Sequence, residues 1–215
     1  MKNFNLYSMN LIFTWLQQNW IEVTGAAITL IFLYLQIQRK WTMWIIGILS
    51  GLFYVYINFD QQLYAMMGLR SYDVFVSIYG IYCWKFAKTK DNTALPFTFI
   101  KKKIVFRLIP IGMAIYAALG FIVLRFTNIP NPFAEGGEPF VFFIELLAVT
   151  LSIIAVWLGA RKIIEMWYLW MVVNPCTITL YIYKGMYPST ILYIVFTIFS
   201  VIGYLQWRKV AVKEK

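Results

Sequence analysis

The sequence predicts an all-α membrane protein: seven transmembrane helices as 3+1+3 parallel repeats, with a short N-terminal interfacial segment. Three observations lead there. The composition is too apolar for a water-soluble domain, seven apolar runs have membrane-spanning length, and the chain matches itself at a fixed offset. Of 215 residues, 61% are hydrophobic and 13% charged, and the mean hydropathy is +0.70. A soluble domain usually carries about 25% charged and about 45–50% apolar residues. A fold of this length has too little interior to hide the excess. The solvent for most of its surface is therefore lipid.

The helices follow from run length. A transmembrane helix needs about 20 mostly apolar residues, roughly twice what a barrel strand needs. Runs at roughly 20–38, 41–59, 63–84, 104–126, 140–160, 164–183 and 187–207 meet that length. Each break has a local cause: Arg39-Lys40 and Arg161-Lys162 end the first and fifth runs, and Asp60-Gln61-Gln62 ends the second. Residues 85–103 read as a polar, lysine-rich loop with Pro96, and 127–139 hold three prolines and two glycines, a strong loop signal. Residues 1–19 alternate apolar side chains with Asn and Gln and lack a cleavage site, so an interfacial amphipathic helix is expected there. The predicted organisation is then 1–19 interfacial, 20–86 the first three-helix repeat, and 87–139 a loop, a linker helix at about 104–126 and an outer loop. Residues 140–207 form the second repeat and 208–215 a cytoplasmic tail.

Basic residues orient the chain. Counted on alternate sides of the seven runs, fifteen Lys and Arg fall on one side and three (Lys2, Arg125, Lys184) on the other, with Arg70 inside a span. This predicts an external N-terminus and a cytoplasmic C-terminus. The formal charge of +10 is a topology signal, so nucleic acid is not an expected partner. No histidine is present, and Cys83 and Cys176 lie in apolar runs without CxxC spacing. Histidine triads, HExxH zinc sites and histidine proton shuttles are thereby excluded, and neither a disulfide framework nor a cofactor is expected.

At an offset of 123 positions, Glu22 meets Glu145, Trp44 meets Trp167, and Tyr64 meets Tyr187. Ser77-x-x-Gly80-x-x-x-Trp84 meets Ser200-x-x-Gly203-x-x-x-Trp207, and Arg39 meets Lys162. Shared Trp and Glu positions are not expected from composition alone. Three helices, one linker helix and three more start both repeats on the same side, an arrangement similar to SWEET-type transporters, whose substrates bind near mid-membrane at the repeat interface.

The sixth span carries Trp167, Trp170, Asn174 and Tyr181, within roughly 60° of one helix face, with Thr177 beside them. Asn174 lies about 15 Å from the span's start, near mid-depth. This stripe reads as a substrate wall; for Asn174 the alternative is an interhelical hydrogen bond. The matching face of the second span reads Trp44, Gly47, Gly51, Tyr54 and Asn58. Its glycines offer room for substrate or close helix packing. Trp84 and Trp207, each followed by a basic residue, read as interfacial belt residues, as does Trp41. Intramembrane Arg70 and Asp73, three residues apart, can pair on one helix and face a cavity. Glu22 and Glu145 sit near the outer ends, suited to snorkelling or to substrate capture.

The W-x-x-W-x-x-x-N-x6-Y pattern from Trp167 to Tyr181 resembles the PnuC family of vitamin transporters. So do Leu192-Tyr193 with Phe196, and Leu63-Tyr64-Ala65, Ser77-Ile78-Tyr79-Gly80 and Trp84. The resemblance covers about 18–210. It implies uptake of nicotinamide riboside across the inner membrane, or of thiamine or riboflavin as in relatives. It also implies a SWEET-like homotrimer that passes substrate down its gradient, with trapping by cytoplasmic phosphorylation. It implies that the residues matching Trp167, Trp170, Asn174 and Tyr181 line or support the substrate site. The third span departs from the family pattern. Arg70 stands near a glutamine expected to help bind substrate, and Asp73 near an apolar or aromatic position. An arginine alone would repel a cationic pyridinium, and Asp73 can cancel it. A non-transporting receptor or scaffold subunit is the alternative of another class. An enzyme would need a nucleophile–base pair, and none is evident.

Overall fold

The computed structural model describes residues 20–60, 64–89, 92–126, 132–183, 185 and 187–213. The expected interfacial segment 1–19 lies outside them. Among the described residues seven α-helices run α1 (Trp20–Ile37), α2 (Met43–Asp60), α3 (Tyr64–Ile81), α4 (Lys102–Phe126), α5 (Pro139–Ala160), α6 (Met166–Tyr183) and α7 (Tyr187–Lys213). A wider π-helical turn, Tyr82–Phe86, extends α3. Each expected span is a helix, because a backbone in lipid has to satisfy its own N–H and C=O groups. By length and composition α4, α5 and the Thr190–Lys213 part of α7 are able to cross a membrane. Pro139 opens α5 at its first turn, where no intrahelical N–H bond is lost. At the C-terminus α7 continues through Arg208 and Lys209 to Lys213, past the apolar run that ends near 207.

The α1–α2 and α5–α6 turns are built alike. Arg39 and Lys162 both hold left-handed φ, at 59° and 56°. Around Arg39, Lys40 N donates to Leu35 O at 2.9 Å and Arg39 N to Gln36 O at 3.0 Å. Around Lys162, Ile163 N donates to Leu158 O at 3.0 Å and Lys162 N to Gly159 O at 3.1 Å. Both are Schellman closures with a basic residue in the position that glycine usually takes. Both of these atom pairs of the first turn recur 123 residues later.

The core sits at the end of the bundle that holds these turns. Trp44, Trp84, Trp167, Trp207, Met43 and Met166 are buried there. The rings of Trp84 and Trp207 lie 5.6 Å apart, Trp167 and Trp207 5.4 Å, and Phe97 and Trp207 4.8 Å. Helices come close because glycine faces each central indole: a Cβ on Gly80 would overlap Trp44, and one on Gly203 would overlap Trp167. The cluster also carries two reciprocal hydrogen bonds. Trp84 Nε1 donates to Gly159 O at 3.1 Å, and Trp207 Nε1 donates to Gln36 O at 3.0 Å. Gln36 and Gly159 are again 123 residues apart.

The belt reading of Trp84 and Trp207 is therefore corrected: they are 8% and 0% exposed. A following lysine or arginine marks the membrane boundary but does not say which way the indole points. Trp41 is partly exposed, with Lys85 Nζ 4.5 Å from its ring centroid. The loop after the π-helical turn is also less polar in place than in sequence. Phe97 enters the cluster, Thr98 exchanges backbone bonds with Lys162 and Ile164, and Lys162 Nζ donates to Leu95 O at 2.8 Å.

Candidate functional site

A cavity of about 320 Å³ lies among α3, α5, α6 and α7. That is the lower end of the size range of small-ligand pockets. α3 contributes Arg70, Tyr72 and Asp73, α5 contributes Glu145 and Ser152 among small apolar residues, α6 contributes Trp170, Thr177 and Tyr181, and α7 contributes Tyr193. The helix period explains the grouping on α6, since 170, 173, 177, 180 and 181 follow a single face.

Polar contacts set the character of the site. Arg70 Nη1 meets Asp73 Oδ2 at 3.2 Å, the i,i+3 pair expected from sequence, with both side chains partly exposed to the cavity. Tyr72 donates its hydroxyl to Ile153 O at 2.9 Å, tying α3 to α5. The rings of Tyr181 and Tyr193 meet edge to face at 5.2 Å. Ser152 and Thr177 donate to carbonyls one turn back, Ala148 O and Val173 O, at 2.8 and 2.9 Å, and their oxygens remain able to accept. The indole N–H of Trp170 has no hydrogen-bond partner among the described residues. With one guanidinium and the carboxylates of Asp73 and Glu145, the lining carries a formal excess of negative charge.

Trp170, Tyr181, Arg70 and Asp73 line the cavity as a group, with Thr177 and Glu145. Trp167, Trp44 and Asn174 do not. Trp167 and Trp44 are in the packed core, each against a glycine. Asn174 is buried and its Nδ2 donates to Ser200 Oγ at 3.1 Å, while Ser200 Oγ donates to Phe196 O. It occupies the interhelical bond between α6 and α7. The glycines of α2 leave no room for substrate either: a Cβ on Gly47 would come within 2.6 Å of Ser77 Oγ, and one on Gly51 would press on Val74. They allow α2 to pack on α3, the packing alternative. The side chains of Glu22, Tyr54 and Asn58 lie outside the described residues.

Sequence reasoning passed over Tyr72, Ser152 and, as a lining residue, Tyr193. Tyr193 had a usable signal, since it stands 123 residues after Arg70. Pro175, within α6 one residue after Asn174, was passed over too. It cannot bond Met171 O, which frees a carbonyl at mid-helix.

If Arg70 and Asp73 compensate one another, Arg70→Ala should impair ligand binding or thermal stability more than the Arg70→Ala/Asp73→Ala double variant. The single change leaves a half-buried carboxylate without its guanidinium. Equal losses in a thermal-shift and binding comparison would argue against compensation.

A bundle of apolar helices around a cavity with a charged pair and aromatic walls defines a multi-pass membrane protein with a candidate small-molecule site. The chain matches the family model described as nicotinamide mononucleotide transporter over residues 19–209. It belongs to that family. Among relatives, the nicotinamide riboside transporter PnuC of Escherichia coli (strain K12) is 26% identical over 213 residues, covering 88% of this chain and 85% of that protein. The PnuC of Neisseria mucosa is 24% identical, covering 92% and 75%. A crystal structure of the vitamin B3 transporter PnuC superposes with a TM-score of 0.71 at 19% identity, over 98% of this chain and 89% of that one. The fold is the same.

Proposed function

We propose that this protein carries nicotinamide riboside across the inner membrane by facilitated diffusion, with cytoplasmic phosphorylation trapping the product, and that it is not an enzyme. The observation that carries the substrate assignment is the cavity lining. Trp170, Tyr181 and Tyr193 supply aromatic surface, on which a cationic pyridinium ring gains about 0.5–2 kcal/mol per well-placed face. The excess of carboxylate over guanidinium suits a cation and opposes a phosphate dianion. That balance favours the riboside over its mononucleotide. The hydroxyls of Ser152 and Thr177 are of the type that bonds a carboxamide or ribose hydroxyl.

In this reading Trp170, Tyr181, Arg70 and Asp73 touch substrate. Trp167, Trp44 and Asn174 act from behind, holding α6 and α2 in register. Two three-helix repeats, 20–86 and 140–207, flank the linker helix; the matched turns and reciprocal tryptophan bonds support this division. The protein assembles as a homotrimer, with its N-terminus outside and its C-terminus in the cytoplasm. A reporter fused after Lys215 should behave as cytoplasmic, and periplasmic activity would reverse the orientation.

Proteoliposomes containing this chain alone should take up labelled nicotinamide riboside without ATP or an ion gradient. Nicotinamide mononucleotide, thiamine and riboflavin should compete at least tenfold more weakly. Uptake of thiamine or riboflavin in preference would reassign the substrate, and absence of any uptake would favour a receptor or scaffold subunit.

A further inference from the structure

A second, larger recess lies outside the substrate cavity, on the face where α4 crosses α5 and α6. It is an open groove of about 700 Å³ running beside α4 from Ile100 to Tyr116. Val105, Ile109 and Met113 on α4 and Leu147 and Leu151 on α5 make its walls apolar along almost the whole length. Among the described residues the only charged lining residue, Glu165, lies at one end, and two lysines flank that end. Lys101 and Lys102 are exposed where α4 begins, and Lys102, three residues before Val105, shares the groove's face of the helix. Glu165 is at the same end, but its carboxylate already accepts the N–H of Ile100 at 2.8 Å, and burial pushes it above the usual carboxylate range. Two exposed lysines therefore stand beside one carboxylate that is already engaged by the backbone.

We propose that this groove binds one anionic phospholipid, its phosphate at Lys101 and Lys102 and an acyl chain along the α4–α5 wall. The argument is charge complementarity combined with shape. An apolar recess flanked at one end by two exposed lysines matches a molecule with one anionic head and a long hydrocarbon tail. Basic pockets between transmembrane helices recognise such head groups. From Val105 to Tyr116 the wall extends about 16 Å, enough to hold much of a chain across one leaflet. The site shares no lining residue with the substrate cavity, so it stands whatever the substrate is.

The test is native mass spectrometry of the full-length protein released from nanodiscs of dioleoyl-phosphatidylglycerol mixed equally with dioleoyl-phosphatidylcholine. The wild type should retain phosphatidylglycerol at least about fivefold over phosphatidylcholine. Lys101→Ala/Lys102→Ala should bring the ratio near one, and Ile109→Trp, which fills the groove, should reduce retention of both lipids. Lys103→Ala/Arg107→Ala is the control. These residues lie two positions either side of Val105, roughly 160° round the helix, and their loss should leave the ratio unchanged. An equal ratio in the wild type, or a control that lowers it as much as the Lys101/Lys102 pair, overturns the proposal. So does loss of oligomers on Ile109→Trp with lipid retention intact, which would make the groove a contact between copies. Displacement by soluble glycerol phosphate would show that the head alone is bound.

Discussion

Replacing Trp207 by alanine is expected to lower the unfolding midpoint by roughly 6–20 °C. Large-to-small substitution of a buried tryptophan costs about 3–5 kcal/mol, and at this chain length each kcal/mol moves the midpoint by about 2–4 °C. Here the indole is fully buried against Trp84, Phe97 and Trp167, and it satisfies Gln36 O. Its removal leaves a void between the two halves of the chain and a buried carbonyl without its partner. Trp84→Ala should behave similarly, because it makes the reciprocal bond to Gly159 O. Trp207→Phe should recover part of the packing but not the hydrogen bond, and so fall between. The check is a thermal-shift series on purified protein. A Trp207→Ala variant melting within two or three degrees of the wild type, by about the scatter of such a series, would remove the cluster from its structural role.

Trp170→Ala is expected to weaken nicotinamide riboside binding by roughly threefold to thirtyfold, with the fold retained. The range follows from losing one stacking surface worth about 0.5–2 kcal/mol, with 1.4 kcal/mol equal to about a factor of ten. The side chain lines the cavity and is only partly buried, so its truncation enlarges a space that is already open. Asn174→Ala, one turn further on, should do the opposite: it removes the bond to Ser200 and lowers stability, with a smaller effect on affinity. Phe121→Ala, on an exposed lipid-facing surface, should change neither. Isothermal titration of the three variants separates the roles. Unchanged affinity in Trp170→Ala would take the substrate out of this cavity.

Much of the architecture was legible because lipid imposes simple rules. Run length gave seven helices within a few residues. The pairing of Arg70 with Asp73 followed from their spacing, and the offset of 123 reappeared atom for atom in two turns and two tryptophan bonds. The sixth-span stripe was only half informative. Trp167, Trp170, Asn174 and Tyr181 do share a sector of one helix, but a sector 60° wide spans both the cavity and the seam with α7. Trp170 and Tyr181 fall on one side of that division, Trp167 and Asn174 on the other.

The sequence by itself determined membrane solvation, the number of long apolar runs, the charge bias, the family and the residue matches at an offset of 123. Only the tertiary structure decided which neighbour each helix face meets. Gly80 and Gly203 receive the rings of Trp44 and Trp167, so those tryptophans are core. Gly47 and Gly51 receive α3 and leave no space for substrate. Tyr72, Ser152 and Tyr193 enter the site because four helices converge there. The physical reason is that periodicity fixes a side chain's angle about its own helix axis, while burial and cavity lining depend on the distance to a second helix, which no single segment encodes.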